Sequence, residues 1–380
     1  MRALDEALAR FGSIRFDEFV ELALYDPDDG FFARGAGAGR SGGDFVTSPE
    51  VGPLFGAVVA RWLDERWNDL GRPDPFLVVE AAAGRGALAI AVLAASPACA
   101  PALRYVLVER SAALRTRQDD HLPLVHPFEV LGPDHDPDAP TPALGVGSGP
   151  LVCSLSELPA TPVDGVVIAN ELLDNLAFRL FERSADGWAE IRVTGSAHGL
   201  QELVVPAGTD ATRRLDHLVP HAPPGCRVPL QDVASDWLRH ALDVVRRGSV
   251  LVIDYAATTP ELATRPVEEW VRTYRGHNRG GAPLDSPGTQ DVTVEVAVDQ
   301  LELVAGPSTR VRQADWLVGH GIDELVDEGR RRWEAAAAAP DLTALRARSR
   351  ASEAGALCDP TGLGAFEVLE WRRPLPSGRD

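Results

Sequence analysis

The spacing of hydrophobic positions changes character along the chain. Residues 15 to 25 (RFDEFVELALY) set Phe16, Phe19, Val20, Leu22, Ala23 and Leu24 at helical intervals and predict an amphipathic helix. Turn residues 26 to 30 end it. Residues 50 to 70 predict a second helix, with Pro53 near its first turn. From Phe76 the texture is different. Short apolar runs at 76 to 80, 105 to 109, 165 to 168 and 250 to 253 each finish in polar residues, and helix-forming segments lie between them. That alternation predicts an open parallel α/β sheet. Ligands of such sheets bind beyond the carboxyl ends of the strands, so Glu80, Glu109, Glu171 and Asp254 are expected along one edge.

Between these runs the pattern is looser. Residues 34 to 43 are rich in glycine, and residues 132 to 150 in Pro, Gly and Asp, which predicts a loop. Residues 178 to 193 predict a β-hairpin around Asp186-Gly187. Residues 260 to 300 carry Gly, Pro and polar clusters and predict an inserted lid or subdomain, spanning roughly 257 to 305. Residues 334 to 339 are helix-prone, and residues 365 to 372 predict a final strand.

Composition narrows the class. The 380 residues carry 56 acids against 37 bases, a formal charge of -19, and every base is Arg. An acidic chain is a poor binder of phosphate backbones, which excludes a general nucleic-acid role and favours cationic partners. The absence of Lys suits a GC-rich bacterial genome. Cys99, Cys153, Cys226 and Cys358 lie far apart in sequence, so no metal site is expected and buried free thiols are. The first 16 residues hold no apolar signal segment, and no run is long enough to span a membrane, so a cytoplasmic protein is expected.

The run 76 to 80 leads into Gly84-Arg85-Gly86 and a helix, and the next run ends on Glu109. Gly84 and Gly86 allow close approach of a ligand to the backbone. Glu109 is placed to accept hydrogen bonds from two ribose hydroxyls. The turn EAAAGRG is not the GxGxxG of dinucleotide sites, and an acid, Glu80, precedes it. A pyrophosphate would be repelled by that acid, whereas an ammonium group would be attracted. S-adenosyl-L-methionine, with an amino-acid end and a sulfonium, therefore fits better than NAD. An ordinary α/β crossover turn is the competing reading.

The segments FVELALYDPDDGFF (19 to 32), GDFVTSPEVGPLFG (43 to 56), VVEAAAGRGALA (78 to 89), IANELLDN (168 to 175), LVIDYA (251 to 256) and YRGHNRGGAPLDSPGTQDVTVEV (274 to 296) occur in this order. Together they resemble the MidA family of S-adenosyl-L-methionine-dependent methyltransferases, whose mitochondrial members assist complex I assembly and which act as protein arginine methyltransferases. The resemblance implies a Rossmann-like class I methyltransferase sheet, with residues 1 to 75 as an N-terminal helical extension and residues 76 to 380 as the methyltransferase domain. It implies cofactor contacts from Glu80, Ala82, Gly84, Gly86 and Glu109. Ala82 and Ala83 depart from the family's usual Gly and Pro in the turn, Asp174-Asn175-Leu176-Ala177 stands where the family usually has Asp-Ala-x-Pro, and Ala282 stands where an acid usually precedes the Pro-Leu pair. A methyl at position 82 would crowd the cofactor's carboxylate end if that residue needs positive φ.

Candidate chemistry follows from these residues. An arginine guanidinium is always charged, and a carboxylate pair can hold its N–H fork and later take a proton. Glu171 is expected as the clamp, with Asp174 three residues on, on the same face of a helical turn, and Asn170 beside them; the competing reading makes Asp174 a cap. Thr47, Ser48, Pro49 and Glu50 read either as a helix cap or as a loop over the cofactor, opened and closed by the glycines before it. Asp254, Tyr255 and His277 are expected to line the acceptor pocket. The acceptor is then an exposed arginine of a partner protein. A small molecule, and a non-catalytic assembly factor retaining the fold, are the alternatives.

Overall fold

The computed structural model describes residues 1–34, 47–132, 146–276 and 278–373. They fall into two compact units. One comprises Met1–Phe45, Glu171–His240 and Asp254–Gly306; the other comprises Val46–Asn170, Ala241–Ile253 and Pro307–Asp380.

The second unit is built on a seven-stranded sheet. Its strands are β1 (Phe76–Ala81), β2 (Leu103–Val108), β3 (Leu151–Leu155), β4 (Val163–Asn170), β5 (Val245–Asp254), β6 (Thr309–Arg312) and β7 (Glu367–Arg373). The spatial order is 6-7-5-4-1-2-3. The five strands from β5 to β3 pair in parallel, and β6 pairs antiparallel with β7. All six residues of β2 are buried, as expected of a strand covered on both faces. Tight pairing at the sheet's centre depends on Gly165 in β4. A Cβ there would lie 1.9 Å from the Leu77 carbonyl oxygen of β1. The strand order reverses between β1 and β4, the switch point at which ligands of open α/β sheets bind. Register places Glu80 opposite Ile168, and Asn170 opposite Ile253. Helix Pro53–Asp69 packs against helix Ala87–Ala94; its Trp62 is fully buried, and its buried Arg66 pairs with Glu370 of β7 at 2.9 Å.

The first unit is mostly antiparallel. Ser13–Arg15 pairs with Gly187–Ser196, which also pairs with Arg179–Ser184 and Gly199–Pro206; Arg227–Leu230 completes that sheet. A smaller sheet has Val271–Arg275 between Asn278–Arg279 and Asp291–Val294. Helix Phe16–Tyr25 buries Phe16 and Phe19 against Phe178 and Trp270 in the core between these elements.

The predicted helix 15 to 25, the hairpin 178 to 193, the four parallel strands and the last strand are all present. Two corrections apply. The parallel set has a fifth member, β3, whose sequence LVCSL follows the Pro/Gly-rich stretch with no alternation to mark it. The helix over 334 to 339 ends at Ala336. The two units interleave along the chain, and Ser13–Arg15 pairs with a strand nearly two hundred residues later. Residues 133–145 of the expected loop lie outside the described residues, as do residues 35–46. Among the described residues no helix is long and apolar enough to cross a membrane, and no cluster of His, Cys, Asp and Glu is arranged to hold a metal. All four cysteines are free thiols, three buried and Cys358 half-buried.

Candidate functional site

The turn after β1 is held by carboxylates and backbone. Ala82, Gly84 and Gly86 all have positive φ, 53°, 53° and 82°. At Gly86 this geometry and packing agree, since a Cβ would meet Leu122 at 2.7 Å. Glu109, next after β2, accepts from Gly84 N with Oε2 at 2.9 Å and from Ser111 N with Oε1 at 2.7 Å. The Arg110 backbone also bonds this carboxylate, and a carboxylate has about four lone-pair sites, so a further donor such as a ribose hydroxyl can be accommodated. Gln118, fully buried, donates to the Gly84 carbonyl at 2.8 Å and accepts from Ser154.

Glu80 is nearly completely buried and accepts from the Tyr105 hydroxyl at 2.7 Å. Burial pushes its carboxyl up to about 8, opposed by the Tyr105 hydrogen bond and by the Ala89 backbone, with the negative charge of Glu109 adding to the rise. Burial also raises Glu109, against the backbone bonds from Ser111 and Gly84 and the charge of Arg115. A buried acid beside a glycine turn is stabilised by a cation, so these residues fit a cofactor with an ammonium group and ribose hydroxyls. Ala82 is exposed. Its φ is positive, so the condition under which its methyl was expected to crowd the cofactor's carboxylate end is met.

Residues 47–50 are pinned rather than loose. Thr47 caps the short helix Ser48–Val51, with its N–H donating to Glu50 Oε2 at 3.3 Å and Pro49 in the first turn. Ser48 is fully buried and donates to Gln313 at 3.1 Å. Glu353, also buried, accepts from Leu54 N at 2.9 Å. Thr47 and Glu50 thus form a capping box, and the Ser48 hydroxyl bonds inside the fold. This helix packs against Ala87–Ala94, which follows the glycine turn.

Three acids converge in the other unit. Asp254 Oδ2 accepts from Leu173 N at 2.9 Å and Asp174 N at 3.3 Å, and its Oδ1 accepts from Tyr255 N at 2.8 Å. Burial raises Asp254 well above the carboxylate range, and the negative charges of Asp174 and Glu171 raise it further. Asp174 is buried and pushed up to about 7 by desolvation. Its Oδ1 has no hydrogen-bond partner among the described residues. Asn175 donates to Asp291 at 2.9 Å, and Tyr25 donates to the Asn175 carbonyl at 3.3 Å. Burial, Glu171 and Asp174 raise Tyr255, whose ring lies under the Arg272 guanidinium.

The predicted placement of Glu171 needs correction. It has φ of 52° directly after Asn170, the last residue of β4, and only Leu173–Asn175 forms a tight 3₁₀ turn. Glu171 and Asp174 therefore do not share a helical face; Asp254 is what both bear upon. His277 lies outside the described residues. Sequence reasoning missed Tyr105 and Gln118. Tyr105 carried a usable signal, because a hydroxyl inside an all-apolar strand needs a partner. Gln118 sits in a polar stretch, RQDD, that reads as surface.

The sheet order, the glycine turn and the acids Glu80 and Glu109 at the carboxyl ends of the first two strands define an α/β protein that binds an adenosine cofactor. A family model described as S-adenosyl-L-methionine-dependent methyltransferase matches residues 58–314. The chain belongs to this family and is an S-adenosyl-L-methionine-dependent methyltransferase, as the motif resemblance implied. Among curated proteins it is similar to the mitochondrial protein arginine methyltransferase NDUFAF7 of Xenopus tropicalis, 25% identical over 82% of this chain and 73% of that one. The Homo sapiens protein of the same name is 26% identical over 85% and 73%. A crystal structure from Burkholderia thailandensis, a candidate methyl transferase bound to S-adenosyl-homocysteine, matches with TM-score 0.79 and 26% identity, covering 99% of this chain and 92% of that one.

Proposed function

We propose that the chain methylates an arginine guanidinium of a partner protein. The observation that carries this reading is the pair of buried acids Asp174 and Asp254 with the half-buried Glu171 bearing on Asp254, and an Asp174 oxygen that has no donor among the described residues. A guanidinium supplies several N–H donors and a permanent positive charge. Its arrival replaces the lost solvation of these carboxylates and lowers their proton affinity. The names of the curated relatives support the same acceptor.

In this reading Glu80 receives the cofactor's ammonium, Glu109 its ribose hydroxyls, and Ala82, Gly84 and Gly86 form the backbone beside it. S-adenosyl-L-methionine supplies an electrophilic methyl on a sulfonium, already a good leaving group. Glu171, turned out of β4 by its left-handed backbone, clamps the guanidinium. Asp254 fixes the turn that presents Asp174, and Asp174 takes the proton released after transfer. Asn170, at the end of β4, and Tyr255 border the clamp.

Labelled S-adenosyl-L-methionine, the protein and an extract lacking it test the acceptor. After hydrolysis to amino acids, label is expected in methylarginine. Label confined to small molecules would replace the acceptor class, and no transfer despite cofactor binding would favour a non-catalytic role.

A further inference from the structure

We propose that Tyr105 is a positioning residue for the cofactor: its hydroxyl holds the Glu80 carboxylate in the orientation that receives the cofactor's ammonium. The proposal rests on the reading of Glu80 given above.

Tyr105 lies in the middle of β2 and is fully buried. Every other residue of β2 but Arg104 is a Leu or Val, and a phenylalanine would fill the same volume. A phenolic hydroxyl in such a place costs free energy unless it is paired. Its partner lies across the strand boundary. Tyr105 is in register with Val78, and Leu107 with Glu80, so Tyr105 and Glu80 project from the same face as diagonal neighbours. The O–H···O distance of 2.7 Å is that of a bond to a carboxylate oxygen. One Glu80 oxygen is thereby fixed inside the sheet, and the carboxylate plane is set with respect to the turn that begins at Ala82.

The groups that act on Glu80 are few. The Tyr105 hydroxyl and the Ala89 backbone favour its ionised form, while burial and the charge of Glu109 oppose it. Among the described residues no cation is one of these groups. An incoming ammonium therefore supplies the missing counter-charge, and binding it near neutral pH requires Glu80 to lose its proton. Removing the Tyr105 hydroxyl leaves the acid buried, frees its orientation and makes that proton harder to remove.

The test is calorimetric titration with S-adenosyl-homocysteine between pH 6.5 and about 9, in buffers of different ionisation enthalpy, for the wild type, Tyr105→Phe and Glu80→Gln. The wild type is expected to release close to one proton per ligand at pH 7, and to bind more tightly as pH rises. Tyr105→Phe is expected to bind about tenfold more weakly at pH 7. Its proton release should persist to higher pH, so that the deficit shrinks towards pH 9. Equal weakening at every pH, or an unchanged proton-release midpoint, would reduce Tyr105 to packing and overturn the proposal. The Glu80 reading fails separately: if Glu80→Gln binds with the same affinity and proton release as the wild type, Glu80 is not the ammonium's partner. Circular dichroism melting of each variant establishes that the fold is retained, and a Tyr105→Phe protein that failed to fold would make the hydroxyl structural and overturn the proposal as well.

Discussion

Two backbone positions immediately after neighbouring strands, Ala82 after β1 and Glu171 after β4, adopt left-handed φ with a side chain present. A left-handed non-glycine residue costs roughly 1 to 2 kcal/mol, and such strain gathers where function dictates the turn. Ala82→Gly is expected to stabilise the protein by about 1 kcal/mol, a rise in melting temperature of about 2 °C in a chain of this size. No change on calorimetric scanning would mean the turn is not strained. Protonation makes a second prediction. Glu80 and Asp174 have folded proton affinities raised to about 8 and about 7, against about 4 when unfolded. A raised carboxyl contributes stability below the unfolded value and loses it as pH climbs through the folded one. Asp174→Asn should therefore raise the melting temperature at pH 8 and leave it nearly unchanged at pH 4. Equal effects at both values would contradict the buried acid.

At the scale of elements, the segment from Thr47 to Leu54 depends on side chains far away in sequence. Glu353 accepts from Leu54 N, and a Cβ on Gly52 would collide with the Glu353 carboxyl. Glu353→Ala leaves a buried N–H without a partner, which costs about 1–3 kcal/mol. Faster amide exchange is expected at residues 52 to 55, with the strands β1 and β2 unaffected. Protection there equal to the wild type would show the segment to be held by other contacts. The sequence revealed the cap at Thr47 because capping is local chemistry. It could not reveal Gln313 and Glu353 as anchors, since nothing local distinguishes a buried glutamate from a solvated one. The same limit explains why Glu171 and Asp174 were expected on one helical face. Spacing of three suggests a helix, but the turn is set by two backbone bonds to Asp254, which arrives from eighty residues later.

For the whole molecule, the alternation of apolar runs and helices was enough to identify a parallel sheet, and the acids ending those runs mark the edge at which its ligands are expected. The antiparallel pair β6 and β7 and the interleaving of the two units depend on long-range pairing that periodicity does not encode. On the proposed function, Glu80 and Glu109 bind the cofactor, while Glu171, Asp174 and Asp254 serve the acceptor. Because Asp174 must be ionised to accept a proton, methyl transfer should increase with pH through about 7. The most direct test of this division is to measure S-adenosyl-homocysteine affinity and methyl transfer side by side in the wild type and Glu171→Gln. The account predicts cofactor affinity within about twofold and transfer reduced by about a hundredfold or more. Full transfer in Glu171→Gln, or loss of cofactor binding together with transfer, would contradict it.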